Sequence, residues 1–179
     1  MKQNIKKLTS FFLALVCLFS MTALTACSRE EGEGKDTQTQ EQDQAPATLE
    51  SIYEAVSAVV PNADKLVDAQ ETYLPNFFAG AKAEDFASHK IVMQSMSTSV
   101  DQIGIFEAKT AEDVKKIEEM IDTYFDFYEN DVWNDAYLET EFPKIQNAER
   151  VTAGNFVMYV FLDDDTRAAA ITAFENAAK

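Results

Sequence analysis

The sequence predicts an α+β domain of two layers: a four-stranded, mostly antiparallel sheet with helices packed chiefly on one face. Three observations carry this. Segments with helical spacing and segments rich in strand formers follow each other as helix, strand, strand, helix, strand, strand, helix. The pair Gly154-Asn155 sits between two strand-like runs, a strong signal for a two-residue hairpin turn. Beyond Cys27 there is no cysteine, so packing by ten of the 13 Phe, all 6 Tyr and the aliphatic residues has to hold the fold.

Taken in order, Leu49, Ile52, Tyr53, Val56 and Val60 recur at helical spacing, with Thr48 placed to cap the start and Pro61 to end it. Residues 62–82 hold Leu66, Val67, Tyr73, Leu74, Phe77 and Phe78 without a clean period, and Glu84 to Ser88 suit a short helical turn. Ile91 to Ser97 and Gln102 to Lys109 read as two strands around Thr98 to Asp101. Thr110-Ala111-Glu112-Asp113 resembles a capping box, with Asp where Glu or Gln is usual. It opens a helix whose apolar stripe is Val114, Ile117, Ile121, Tyr124 and Tyr128, and this helix would join the two hairpins. Residues 129–145 make an acidic, aromatic connection with Pro143 near its end. Glu149 to Ala153 and Phe156 to Leu162 flank the Gly154-Asn155 turn. Asp163 to Asp165 then place negative charge at the start of a last helix through Ala177, where the helix dipole favours it.

The N-terminus reads as an export and lipidation signal. Lys2, Lys6 and Lys7 precede an almost wholly apolar run from Leu8 to Leu24, the arrangement of a secretory signal. Leu24-Thr25-Ala26-Cys27 matches a lipobox, so residues 1–26 are expected to be removed and Cys27 to carry a diacylglycerol. Two acyl chains hold a protein stably on a membrane, at about 0.8 kcal/mol per buried CH2. Residues 27–47 would be the lipidated cysteine and a flexible tether, since SREEGEGKDTQTQEQDQAPA cannot bury enough surface to order itself. Its reach would be roughly 25 Å. Residues 48–179 would form a single α+β domain, on the extracytoplasmic face of the cell membrane.

Charge narrows the partners. Residues 1–26 hold three of the 15 basic residues and none of the 31 acids, which leaves the mature chain with a formal charge of −19. Such a surface repels phosphate backbones, which argues against nucleic acid, and anionic head groups, which keeps the domain off the membrane except through its lipid. A protein or small-ligand partner stays open, and so does the oligomeric state.

No catalytic, metal or cofactor constellation emerges. His89 is the single histidine, beside Lys90 at a strand boundary. Ser95, Ser97, Thr98 and Ser99 cluster near it without a nucleophile-elbow motif and read as polar strand-face residues. Asp163-Asp164-Asp165 lacks the spacing of a calcium loop, and five glycines form no phosphate-binding loop. Met93 and Met96 suit adaptable core filling. The sheet itself is more informative. Val151, Phe156, Met158 and Val160 share one face, whereas Val157, Tyr159 and Phe161 share the other; Ile103 and Ile105 likewise oppose Phe106 and Ala108. Both faces are apolar and both need cover. Either the first helix or the aromatic segments 73–78 and 124–137 supply it, or Phe106, Val157, Tyr159 and Phe161 form a binding face.

Asp101-Gln102-Ile103-Gly104-Ile105-Phe106, Phe142-Pro143-Lys144-Ile145-Gln146-Asn147-Ala148 and Val151-Thr152-Ala153-Gly154-Asn155-Phe156-Val157 resemble an uncharacterised, domain-of-unknown-function family of lipoproteins from low-GC Gram-positive bacteria. The resemblance covers roughly Leu49 to Phe174, and departs where Phe156 stands in place of a frequent Tyr. It implies a domain and a location, and brings no catalytic residues. The expectation is a lipid-anchored, non-enzymatic binding or interaction domain. An envelope hydrolase working with carboxylates alone, or a structural subunit, is the alternative.

Overall fold

A computed structural model of the chain describes residues 46–95, 99–132 and 139–179. The signal and lipobox residues, including Leu24, Thr25, Ala26 and Cys27, lie outside the described residues, as do Met96, Ser97 and Thr98. Helix α1 (Leu49–Ser57) starts where Thr48 predicts: its hydroxyl accepts from the Ser51 N–H at 3.2 Å, and the Ser51 hydroxyl accepts from the Thr48 N–H at 3.1 Å. It ends one turn earlier than Pro61 suggests, although Val60 is still buried. Strand β1 (Leu66–Asp68) and helix α2 (Tyr73–Phe77) follow, then a single 3₁₀ turn at Ala83–Asp85. Strand β2 (Ser88–Gln94) begins three residues before Ile91, because the polar Ser88, His89 and Lys90 belong to it. Strand β3 (Gln102–Glu107) leads into α3 (Ala111–Phe127), capped by the Thr110 hydroxyl accepting from the Asp113 N–H at 3.3 Å.

Pro143 lies in the first turn of a short helix, α4 (Phe142–Gln146), where its missing N–H leaves no bond unmade. Strands β4 (Glu149–Ala153) and β5 (Phe156–Phe161) make the expected hairpin, and Gly154 takes the positive φ of +58° that the turn requires. Helix α5 (Asp164–Ala177) is capped by Asp163, whose carboxylate accepts from the Thr166 N–H at 3.1 Å.

The sheet is antiparallel throughout in the order β1-β2-β3-β5-β4, so it has five strands and not four. The additional strand, β1, spans only three residues, too few to show a period-2 pattern. The helices also cover both faces, not chiefly one. Val92, Ile103, Ile105, Met158 and Val160 meet Ile52 and Val56 of α1 and Ala170 and Phe174 of α5. On the opposite face Ile91, Phe106, Val157, Tyr159 and Phe161 meet Leu74 of α2, Ile117, Ile121 and Tyr124 of α3, and Ile145 of α4. A sheet apolar on both sides has to be covered on both sides.

Gly104 is required by a close approach. It pairs with Tyr159, and a Cβ at this position would lie 1.9 Å from Tyr159 Cε1. The bare backbone of β3 is the surface on which that ring rests.

Candidate functional site

The four residues considered as a binding face, Phe106, Val157, Tyr159 and Phe161, are all at 0% exposure. They are core, and this corrects the expectation of a surface there. Aromatic cover from α2 and α3 closes over them: Phe78 lies 5.7 Å from the Phe106 ring, Tyr124 lies 5.5 Å from Tyr159, and Phe125 lies 5.4 Å from Phe161.

Within this cover sits a buried polar ring that the sequence does not announce. Gln102 is the single buried polar side chain among the described residues. Tyr124 donates to Gln102 Oε1 at 2.7 Å, and Gln102 Nε2 donates to the Tyr73 hydroxyl at 3.1 Å. Because the Tyr124 proton is engaged there, Tyr73 supplies the proton of the 2.5 Å contact between the two hydroxyls. Three side chains 22 to 51 residues apart in pairs thus close a hydrogen-bonded circle. Burial raises the Tyr73 and Tyr124 phenols above their ordinary range, so both stay protonated. Beside them the Tyr159 hydroxyl is wholly buried, with no hydrogen-bond partner among the described residues. One sequence signal was available: Gln102 alternates with Gly104 and Phe106 on an inward face of β3.

Tyr73 also reaches the surface. It forms one wall of a groove of about 370 Å³ between α2 and the β1–β2 edge, floored by Val67 and Met93 and bordered by Phe77. Val67 pairs with Met93 across the two strands, so the pair presents a continuous apolar floor. The Phe77 ring lies 4.5 Å from Tyr73 and 5.9 Å from Phe127. Large hydrophobic side chains exposed among the described residues are Val59, Val67 at 46% and Phe77 at 36%, and two of these three line this groove. Asp68, Gln70, Asn76 and Gln94 make the polar rim. Helix α2 has no side-chain cap and ends near two residues of positive φ, Ala79 and Gly80, so it is held by the buried Leu74 and by the Tyr73 hydrogen bonds to Gln102 and Tyr124.

A second groove, about 600 Å³, lies on the other side of the Asp68–Glu71 segment along β2. Lys82, His89 and Lys90 line it. His89 has ring partners, Phe86 at 5.7 Å and Phe106 at 6.3 Å, and burial lowers its pKa, which leaves a neutral imidazole. Among the described residues no acid is hydrogen-bonded to orient it and no nucleophile is hydrogen-bonded for it to serve.

The remaining candidates have structural work. Ser99 donates to Glu141 at 2.9 Å, and Lys144 bridges Glu141 at 2.9 Å and Asp101 at 2.7 Å. Burial pushes the Glu141 carboxyl up, but hydrogen bonds from Lys144, the Val100 N–H and Ser99 outweigh it and hold it below the usual range. Lys144 is likewise held charged, against its burial, by the two carboxylates. This trio clamps α4 to the segment before β3. Ser95 is exposed on the groove border; Asp163 caps α5, and Asp164 pairs with Arg167 at 2.9 Å. No cluster of three metal-ligating side chains occurs among the described residues.

Comparison with curated proteins returned no match, and neither did comparison with solved structures. Residues 60–162 match a family model described as a domain of unknown function, DUF4358. The matched span opens at the end of α1 and closes before α5, so it holds all five strands together with α2, α3 and α4. The chain belongs to the DUF4358 family.

Proposed function

We propose that this chain is a lipid-anchored extracytoplasmic domain that binds a ligand or partner without catalysing a reaction, and that the groove beside α2 is where it binds. The anchor rests on the Leu24 to Cys27 lipobox and the basic, then apolar, run before it. The observation that carries the binding site is the concentration of exposed apolar surface: Val67 and Phe77 line one groove together with Tyr73 and Met93, with amide groups at the rim. Its volume is within the small-molecule range of roughly 300–1,000 Å³. Tyr73 is locked from below by Gln102 and Tyr124, so one wall of the groove is pre-organised.

A hydrolase working with two carboxylates needs one of them protonated at working pH. Acids brought together among the described residues share a cation: Asp101 and Glu141 the Lys144 ammonium, Glu118 and Asp122 the Arg150 guanidinium, and Glu149 and Asp164 that of Arg167; of these Glu141 is held ionised. That chemistry suits a clamp and not a general acid.

Two experiments test the reading. Radiolabelled palmitate should enter the wild-type protein in its bacterial host and not the Cys27→Ala variant; equal labelling of both would remove the anchor. A thermal-shift screen of metabolites and wall fragments should find stabilising ligands whose effect disappears in Phe77→Ala, by about 3 kcal/mol at a ligand concentration 100 times Kd.

A further inference from the structure

We infer that the open edge of β2 between His89 and Ile91 takes an extended peptide of a partner protein as an added strand, parallel to β2, in the second groove and apart from the site proposed above. Strand lengths are the first observation. β2 pairs with β3 from Ser88 to Met93, but β1 pairs only with Val92 to Gln94. The chain leaves this edge after Ala69, whose N–H donates to the Ile91 carbonyl at 2.9 Å. Gln94 donates to Asp101 at 3.0 Å across the β2–β3 ladder, so in this register the even-numbered residues of β2 bond to β3. His89 and Ile91 therefore turn their main-chain groups to the outer side. The Ile91 N–H and both main-chain groups of His89 have no hydrogen-bond partner among the described residues.

The second observation is what these groups face. They wall the groove of about 600 Å³ that Leu74 and Pro75 of α2 also line. Lys82 and Lys90 balance Asp68 and Glu71 in its lining, so charge selects no occupant and the main chain does. Donors and acceptors at strand spacing are complementary to another strand. The pattern also sets the direction. Around its residue opposite His89, a parallel strand offers the preceding carbonyl to the His89 N–H and the following N–H to the His89 carbonyl. The carbonyl of that following residue then reaches the Ile91 N–H. An antiparallel strand would need the place of Ala69 to reach Ile91. The peptide residue opposite His89 turns its side chain to the face of Ile91 and Leu74, so an apolar residue suits it.

The test uses the uncharged peptide acetyl-Thr-Thr-Val-Thr-Thr-amide, titrated into the full-length protein and followed by amide hydrogen exchange in nuclear magnetic resonance spectra. In the free protein the His89 and Ile91 amides should exchange faster than those of Lys90 and Val92, which bond to β3. The peptide should bind in the millimolar range and, at about ten times Kd, slow His89 and Ile91 about tenfold. N-methylation of the threonine after the valine blocks the bond to the His89 carbonyl and should weaken binding about tenfold. N-methylation of the valine, whose N–H points away from β2, should change it less than about twofold. Phe77→Ala, outside this groove, should leave peptide binding unchanged, so the two sites are read separately. Absence of binding, a loss caused by the valine methyl and not by the threonine methyl, or a loss in Phe77→Ala overturns the added strand. Slowing of His89 and Ile91 by rising protein concentration alone would seat a second copy on this edge and overturn the partner peptide.

Discussion

The face of the sheet under α1 and α5 is closed by buried aliphatic side chains with Met158 and two phenylalanines, Phe156 and Phe174, and among the described residues buries no polar side chain. The face under α2, α3 and α4 carries Phe78, Phe86, Phe106, Tyr124, Tyr159 and Phe161 around the buried Gln102 circle. Aliphatic packing needs only area removed from water, and many side chains of the right volume would serve. The aromatic face needs more: ring orientation, a glycine at position 104 and three matched hydrogen-bond partners. It is also where the cover ends in a five-residue helix and leaves a groove. The helices that close the aromatic face lie within the family span of 60–162, while α1 and α5 lie outside it.

If that contrast is right, the two faces should respond differently to small changes. Gly104→Ala adds one methyl group, yet the Tyr159 ring occupies its place, so unfolding free energy should fall by about 3 kcal/mol. Ile105→Val, on the aliphatic face, removes one methylene from a residue at 0% exposure and should cost only about 1 kcal/mol. Denaturant unfolding of the two variants makes the comparison; similar costs would erase the distinction.

Within the aromatic face the hydroxyls should separate as well. Tyr124→Phe strands the Gln102 carbonyl oxygen and should cost about 1–3 kcal/mol. Tyr159→Phe removes a hydroxyl that has no hydrogen-bond partner among the described residues and should be neutral or stabilising. A larger loss at Tyr159 than at Tyr124 in the same unfolding experiment would contradict the hydrogen-bond assignment.

Away from both faces, the Lys144 clamp should show itself through pH. Glu141 titrates below its unfolded value, so its contribution is complete above about pH 4.5 and is lost as pH falls through the folded value. Lys144 titrates above its unfolded value, so its contribution is complete below about pH 10.5 and is lost as pH rises through the folded value. Lys144→Met should therefore destabilise by about 1–3 kcal/mol at pH 7 and flatten the stability profile at both ends. The smallest effect is expected where Arg150 of β4 reaches Asp122 of α3 through two nitrogens, at 2.6 and 2.9 Å. Both side chains are substantially exposed, so Arg150→Ala should cost less than about 1 kcal/mol, measured by thermal unfolding.

Local signals in the sequence were legible because they are read within a few residues. Thr48 and Thr110 cap helices where they were expected to, Asp163 to Asp165 stand at the start of α5, and Gly154 turns its hairpin; the doubled apolar pattern of β3 and β5 marked both faces as needing cover, although helices chiefly on one face were expected. The candidate site was not legible, since it is assembled from distant pieces. Val67 lies in a strand too short to show a period, Phe77 in a helix of five residues, and Gln102 finds its partners 22 and 29 positions away. Pro143 was read within the 129–145 connection and instead opens α4, because a proline fits the first turn of a helix as well as an extended connection.

The claim that matters most is that the α2 groove is the binding surface, and one comparison reaches it directly. Phe77→Ala and Val59→Ala both remove an exposed apolar side chain, but only Phe77 lines the groove. In a thermal-shift screen of full-length protein, any ligand that stabilises the wild type should stabilise Val59→Ala equally and leave Phe77→Ala unshifted. An unchanged ligand shift in Phe77→Ala would contradict the account.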